Sequence, residues 1–235
     1  MALDQNDLKR LAAAKAVEYV NDGMKIGLGT GSTAEIFLEL LAARVRGGLN
    51  VIGTPTSERT AERARVLGIP LSASDDLEQL DLTVDGADEC DRKLSLIKGG
   101  GGALLREKIV AASSQRMIVI ADKSKLVARL GRFALPVEVL KFGQKSTAQR
   151  ITATLAALGY DKATITLRSR DGLSFVSDSG NLIYDCAIGP IKSAPKLAAA
   201  LSAIPGVVEH GLFIGIATTL LIARARGVDV IEKAK

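Results

Sequence analysis

Tryptophan is absent from the 235 residues, aromatic side chains make up only 3%, and there is a single histidine, His210. So few aromatics leave few platforms on which bases could stack, and the basic residues are dispersed rather than run together. Nucleic acid is therefore not an expected partner. One histidine and two separated cysteines, Cys90 and Cys186, do not supply the clustered nitrogen and sulfur ligands of a zinc site, so no metal is expected. The cysteines also lie outside any CxxC pair, as in a reduced intracellular protein. No apolar run approaches the roughly 18 residues that cross a bilayer. Met1–Asp7 lacks the basic and then apolar pattern of a secretory signal. The expected compartment is the cytoplasm, with no membrane partner.

What is present is a globular composition, 47% apolar against 24% charged, in a length that suits one large domain or two modest ones. The formal net charge of +5 serves ordinary solubility or attracts anionic ligands.

The first part of the chain alternates helical and strand patterns. Leu8, Leu11, Ala12, Ala16, Tyr19 and Val20 form a helical stripe. The expected strands are Met24–Leu28, Val51–Gly53, Leu80–Val84 and Met117–Ala121, and the expected helices between them are Ala34–Arg44, Glu58–Leu67 and Ala103–Ser113. This βα alternation predicts a parallel sheet covered by helices, with ligands beyond the carboxyl ends of the strands. Three polar or glycine-rich segments fall there: Gly29–Thr33, Asp85–Asp91 and Asp122–Lys125.

After Phe133 the order becomes β-α-β-β-α-β, that of a ferredoxin-like unit. Its expected strands are Leu135–Leu140, with Pro136 at its start or on an edge, Thr164–Leu167, Leu182–Cys186 and Val207–Phe213. The apolar tail is expected to return to the first sheet. The fold class is thus α/β: a Rossmann-like, mostly parallel sheet domain (1–131 and 214–235) with a second, ferredoxin-like α+β domain (132–213).

Gly29-Thr30-Gly31-Ser32-Thr33 joins a strand to a helix. Glycines let backbone approach an anion, and the helix N-terminus presents free N–H groups to it. A phosphate site, a capped tight turn and a dinucleotide loop all fit these residues. Against the last, the second strand closes on Gly53-Thr54-Pro55-Thr56, without the acid that holds a ribose hydroxyl. The Asp85-Gly86-Ala87-Asp88-Glu89 segment suits sugar hydroxyls, a divalent cation or a solvated turn. Lys98 stands before four consecutive glycines and the helix that carries Glu107. Such a loop forms a nest of N–H groups around an anion, with Lys98 as a mobile cation beside it. With Leu105, Ile109 and Ala112 as the buried face, Glu107 lies roughly 200° from Leu105 and faces the crevice, or else belongs to a surface charge run.

These motifs, in this order, resemble ribose-5-phosphate isomerase, type A. The similarity lies in Thr30–Thr33, Asp85–Asp88, Lys98–Lys108, Ala121–Lys125, Leu135–Val139, Asp178–Asp185 and Glu209–Phe213, and so covers nearly the whole chain. The resemblance implies an aldose–ketose isomerase of the non-oxidative pentose phosphate pathway, without cofactor, acting as a homodimer or homotetramer on D-ribose 5-phosphate. It implies that Glu107 transfers the proton between C2 and C1 through an enediol, while Asp85 and Lys98 assist ring opening. Asp85, Gly86, Ala87 and Asp88 contact the sugar, and Gly99, Gly100 and Gly101 are backbone donors beside Lys98. Thr30, Gly31, Ser32, Thr33 and Lys125 bind the substrate, and Lys9 on the first helix contacts its phosphate. Gly102 departs from the pattern, where alanine is familiar. His210 is expected to be structural. An NAD(P)-dependent oxidoreductase, a noncatalytic sugar-phosphate sensor and an isomerase of another aldose phosphate are the competing readings.

Overall fold

The computed structural model describes residues 3–72 and 79–232. The first half contains α1 (Gln5–Val17), β1 (Lys25–Leu28), α2 (Ser32–Arg46), β2 (Ile52–Pro55), α3 (Glu58–Val66), β3 (Leu82–Asp85), β4 (Glu89–Cys90), β5 (Leu96–Ile97), α4 (Leu104–Ala112) and β6 (Met117–Asp122). A 3-10 turn, Lys123–Lys125, follows. Then come β7 (Leu135–Val139), α5 (Gln144–Ala157), β8 (Thr164–Leu167), β9 (Ser169–Arg170), β10 (Leu173–Ser174), β11 (Leu182–Ala187) and α6 (Ala194–Ser202). The chain closes with β12 (Val207–His210), β13 (Leu212–Phe213), β14 (Thr219–Arg224) and β15 (Gly227–Glu232).

Six strands form the main sheet in the order β15-β14-β6-β3-β1-β2, all parallel except β15. Every residue of β3 and β6 is buried, which is why these strands read as continuous apolar runs rather than alternating ones. The helix starts are written locally. Asp4 and Asp7 cap α1 reciprocally, and the Ser57 hydroxyl accepts the Thr60 N–H at the head of α3. From β1 the chain moves outward to β2, then returns to place β3 on the other side of β1. That reversal opens a crevice at the carboxyl ends of β1 and β3, where a doubly wound sheet binds its ligands.

A four-stranded antiparallel sheet, β12-β7-β11-β8, packs with α5 and α6 in the β-α-β-β-α-β order, with the β9–β10 hairpin inserted. Its core is built on Val137, Val139, Ile151, Leu155, Leu197 and Leu201. Pro136 sits at the second residue of β7, an interior strand, so it marks the start and not an edge.

One expected strand is two. Val207–Phe213 breaks at Gly211, so that β12 pairs with β7 while β13 joins a small sheet, β13-β5-β4. Gly211 donates its N–H to Pro136 O at 2.8 Å and accepts the Lys98 N–H at 2.9 Å. A Cβ there would lie 2.2 Å from Lys98 O, so no side chain fits between the sheets. This junction fixes the backbone of Lys98.

Candidate functional site

The carboxyl ends of β1, β3 and β6 and the loop before α4 surround a cleft of about 170 Å3. Of the expected site residues, Lys9, Thr30, Gly31, Ser32, Thr33, Gly86, Ala87, Asp88, Lys98, Gly99, Gly100, Gly101, Glu107 and Lys125 all line it. Asp85 lies below the floor, fully buried.

Lys98 leaves the end of β5 and is 2% exposed. It donates to Gly86 O at 2.7 Å, and lies 2.9 Å from Asp85 Oδ2 and 3.3 Å from Glu107 Oε1. Three oxygens thus surround the ammonium, one accepting a hydrogen bond and two as ion-pair partners, so the lysine is a fixed charge and not the mobile one expected from its loop. Burial alone disfavours that charge, but Asp85 and Glu107 outweigh burial and raise the lysine pKa. Asp85 Oδ1 accepts the N–H groups of Thr30 (3.1 Å) and Gly86 (2.7 Å), tying the β1 and β3 strand ends together. Gly29 is glycine for this reason: a Cβ there would stand 2.3 Å from Asp85 Oδ1.

Glu107 occupies the first turn of α4 and is 4% exposed. Among the described residues its Oε2 has no hydrogen-bond partner. Burial pushes the carboxyl up to about 8, with Lys98 opposing the shift and Asp85 and Asp88 reinforcing it. The buried face of α4 is not the one the sequence suggested. Leu104, Glu107, Val110 and Ala111 face inward, whereas Ile109 is 48% exposed and Ala112 is at the surface. Glu107 therefore reaches the cleft as part of the buried face, not opposite it.

The glycine loop turns back on itself through Gly102 N–H to Gly99 O at 3.0 Å, with both residues at positive φ. Gly100 donates to Asp88 Oδ2 at 2.7 Å. A Cβ at Gly102 would stand 2.3 Å from the Phe175 ring, so alanine does not fit this loop beside that ring.

At the other end of the cleft, Gly31 heads α2 with no side-chain cap, leaving the first-turn amides open. Lys9 donates to Ser32 Oγ at 2.9 Å. The Thr30 hydroxyl turns away, into a cluster with Thr56, Ser57 and Thr60, so this residue offers its backbone to the cleft. Two further polar lining residues, Gln5 and Asp122, were not among the site residues expected individually. Burial pushes the Asp122 carboxyl upward, but bonds from Ser124 and Gln5 outweigh it and hold the group low. Asp122 ends β6, so the strand-end rule reaches it; nothing local marks Gln5, which tertiary packing of α1 delivers.

His210 does not line the cleft. Burial, then the neighbouring Lys108, lowers its pKa to about 4, so the ring is neutral. Among the described residues no group of three or more His, Cys, Asp or Glu side chains is arranged to hold a metal ion, and no helix is long and apolar enough to cross a membrane. The cation between the buried carboxylates is the Lys98 ammonium.

Comparison with known proteins covers nearly the whole chain. The profile of the family described as ribose 5-phosphate isomerase A (phosphoriboisomerase A) matches residues 52–227. The chain is 58% identical over 233 residues to the ribose-5-phosphate isomerase A of Nitrobacter hamburgensis, covering 99% of this chain and 100% of that one. It is similar to the solved ribose 5-phosphate isomerase of Plasmodium falciparum, with a TM-score of 0.92 and 39% identity over 98% of this chain and 100% of that one. A D-ribose-5-phosphate isomerase solved in complex with phospho-erythronic acid gives a TM-score of 0.89 and 34% identity, again over 98% and 100%.

Proposed function

The chain belongs to the ribose 5-phosphate isomerase A family and interconverts D-ribose 5-phosphate and D-ribulose 5-phosphate, and on that premise we propose that Glu107 is the base that carries the proton. The observation behind this assignment is the Glu107 carboxylate itself: one oxygen beside a buried ammonium, the other without a hydrogen-bond partner among the described residues, on a side chain that lines the cleft. Aldose and ketose differ only in where two hydrogens sit, so the reaction needs a base and a stabilised oxygen charge, with no net redox change. A carboxylate with its pKa raised to about 8 is a stronger base than an ordinary one once ionised. Glu107 removes the C2 proton of the open-chain aldose and returns it to C1 of the enediol, while the hydroxyl hydrogen on O2 passes to O1. Lys98 and the glycine-loop N–H groups stabilise the charge on the O1 and O2 oxygens. Asp85, shielded beneath the floor, acts through Lys98, and Asp88 faces the sugar. The open first turn of α2 with Lys9, Ser32 and Lys125 receives the phosphate, which places C1 and C2 beside Glu107.

The direct test is ketose formation from ribose 5-phosphate by the purified chain, with and without a chelator such as EDTA. Equal turnover in both is expected. Loss on chelation that added metal restores would overturn the metal-free reading, and no ketose in either would overturn the substrate.

Exposed apolar residues at the end of β7, Phe142 at 93% and Leu140 at 48%, support self-association as a homodimer or homotetramer. Light scattering on the eluting protein should give a dimer or tetramer mass; a monomer at micromolar concentration would exclude both. The free thiols of Cys90 and Cys186, which burial pushes up to about 12, suit a reducing cytoplasm. Cell fractionation tests this, and activity confined to an envelope fraction would contradict it.

A further inference from the structure

Arg168 follows β8, outside every motif of the sequence, yet its guanidinium ends on the glycine loop. Nη1 donates to Gly99 O at 2.7 Å and lies 3.4 Å from Gly100 O. Nε and Nη2 are held by the Asp185 carboxylate at 2.9 and 2.5 Å, a two-point grip that leaves the guanidinium plane little freedom. The peptide joining Gly99 to Gly100 is therefore held from both sides. Its carbonyl is bound by Arg168 and its N–H by Asp88 Oδ2 at 2.7 Å. In a trans peptide these groups point in opposite directions, so the two bonds together fix the rotation of the plane.

The plane needs fixing. Glycine on both sides gives the backbone little preference of its own. The same segment adds a second restraint, because the Phe175 ring packs on Gly102 and lies under Arg170, with the Arg170 guanidinium carbon 4.8 Å from the ring centroid.

We propose that Arg168, oriented by Asp185, is a positioning residue for the isomerisation: it sets the Gly99–Gly100 peptide, and through that peptide orients Asp88 and the Gly101 N–H toward the substrate. The strand-end cleft is thus completed by the neighbouring four-stranded sheet. A site misaligned by a fraction of an ångström loses transition-state contacts before it loses ground-state binding, since the phosphate is anchored at the opposite end. This inference rests on the reading in which the glycine loop faces the reacting oxygens.

The test compares Arg168→Ala, Arg168→Lys and Asp185→Asn with the parent, using phospho-erythronic acid as the binding probe. Arg168→Ala should lower kcat by roughly tenfold to a hundredfold while KM stays within about threefold, with affinity for the probe falling alongside kcat. Arg168→Lys and Asp185→Asn should fall between. Methylguanidinium added to Arg168→Ala should restore part of kcat. A kcat within twofold of the parent overturns the inference. So does a loss of kcat accompanied by an equal loss of folded protein on melting and no response to methylguanidinium, which marks a purely structural clip. Glu107→Gln assayed in parallel separates the two claims: an active Glu107→Gln enzyme removes the assignment of the base, whereas an unaffected Arg168→Ala enzyme removes only the positioning role.

Discussion

Glu107→Gln is expected to lower kcat by about a thousandfold while leaving KM for ribose 5-phosphate within about threefold, the magnitude of a lost general base. The amide keeps the size of the carboxylate and can still meet Lys98, but it takes no proton from carbon. Substrate affinity is expected to survive because the phosphate end of the cleft, with Lys9, Ser32, Lys125 and the head of α2, lies on other elements. Calorimetry with ribose 5-phosphate checks that binding, and circular dichroism checks the fold. Near-normal turnover by a folded variant would remove Glu107 from the role of base.

The same group sets a pH dependence. With its carboxyl pushed up to about 8, chiefly by burial, Glu107 must lose its proton before it can act, so kcat/KM of the free enzyme should rise with pH and level off above about 8. Stability runs the other way. Below the ordinary carboxylate value of 4.5, Glu107 is protonated in both the folded and unfolded chains and favours neither. Between 4.5 and about 8 the unfolded chain has released this proton while the folded chain still holds it, so folding becomes progressively less favourable as pH rises. Glu107→Gln removes this contribution. Its melting temperature should therefore decline less than that of the parent between pH 5 and 8, and a parallel decline in both would contradict the raised pKa.

The chemistry of this cleft was legible where it depended on strand ends. Gly29–Thr33, Asp85–Asp88 and Asp122–Lys125 follow buried parallel strands, and a buried run leading into a polar turn is a local pattern. The face of α4 was not legible, because a helical wheel sends a glutamate outward and an isoleucine inward. Here Glu107 is inside and Ile109 outside, and the buried ammonium of Lys98 makes that exchange tolerable. The short strands β4, β5, β9 and β10 carry two residues each, too few to show a period. Gly211 splits one expected strand between two sheets, and its reason is a close approach to Lys98 O, a residue distant in sequence. Arg168 looks like any surface arginine until folding brings it to Gly99. In each of these cases the deciding contact is tertiary.

Lys98→Met should abolish activity more completely than its distance from the carbon chemistry suggests. The ammonium is the shared counter-charge of two carboxylates, Asp85 at 0% and Glu107 at 4% exposure, and it also donates to Gly86 O. A thioether of similar length fills the space and satisfies none of the three. Both carboxyls, already raised by burial, must rise further, so Glu107 remains protonated at neutral pH while the charge that stabilises the enediolate is gone. Losses from the base and from the oxygen site combine, and kcat should fall by about a thousandfold or more. Removing one partner of a buried ionic group typically costs about 3–5 kcal/mol, because the remaining charge has no compensation. Protonation relieves that cost here. The variant should be far less stable than the parent at pH 8.5 and approach it at pH 5.5, where protonating the buried carboxyls costs less free energy. Denaturant unfolding at the two pH values reads the difference, and the folded protein at pH 5.5 provides the sample in which ligand binding can be measured. Equal stability to the parent at pH 8.5 would mean that Lys98 does not balance the buried carboxylates. A kcat within tenfold of the parent would mean that the oxygen charge is stabilised elsewhere.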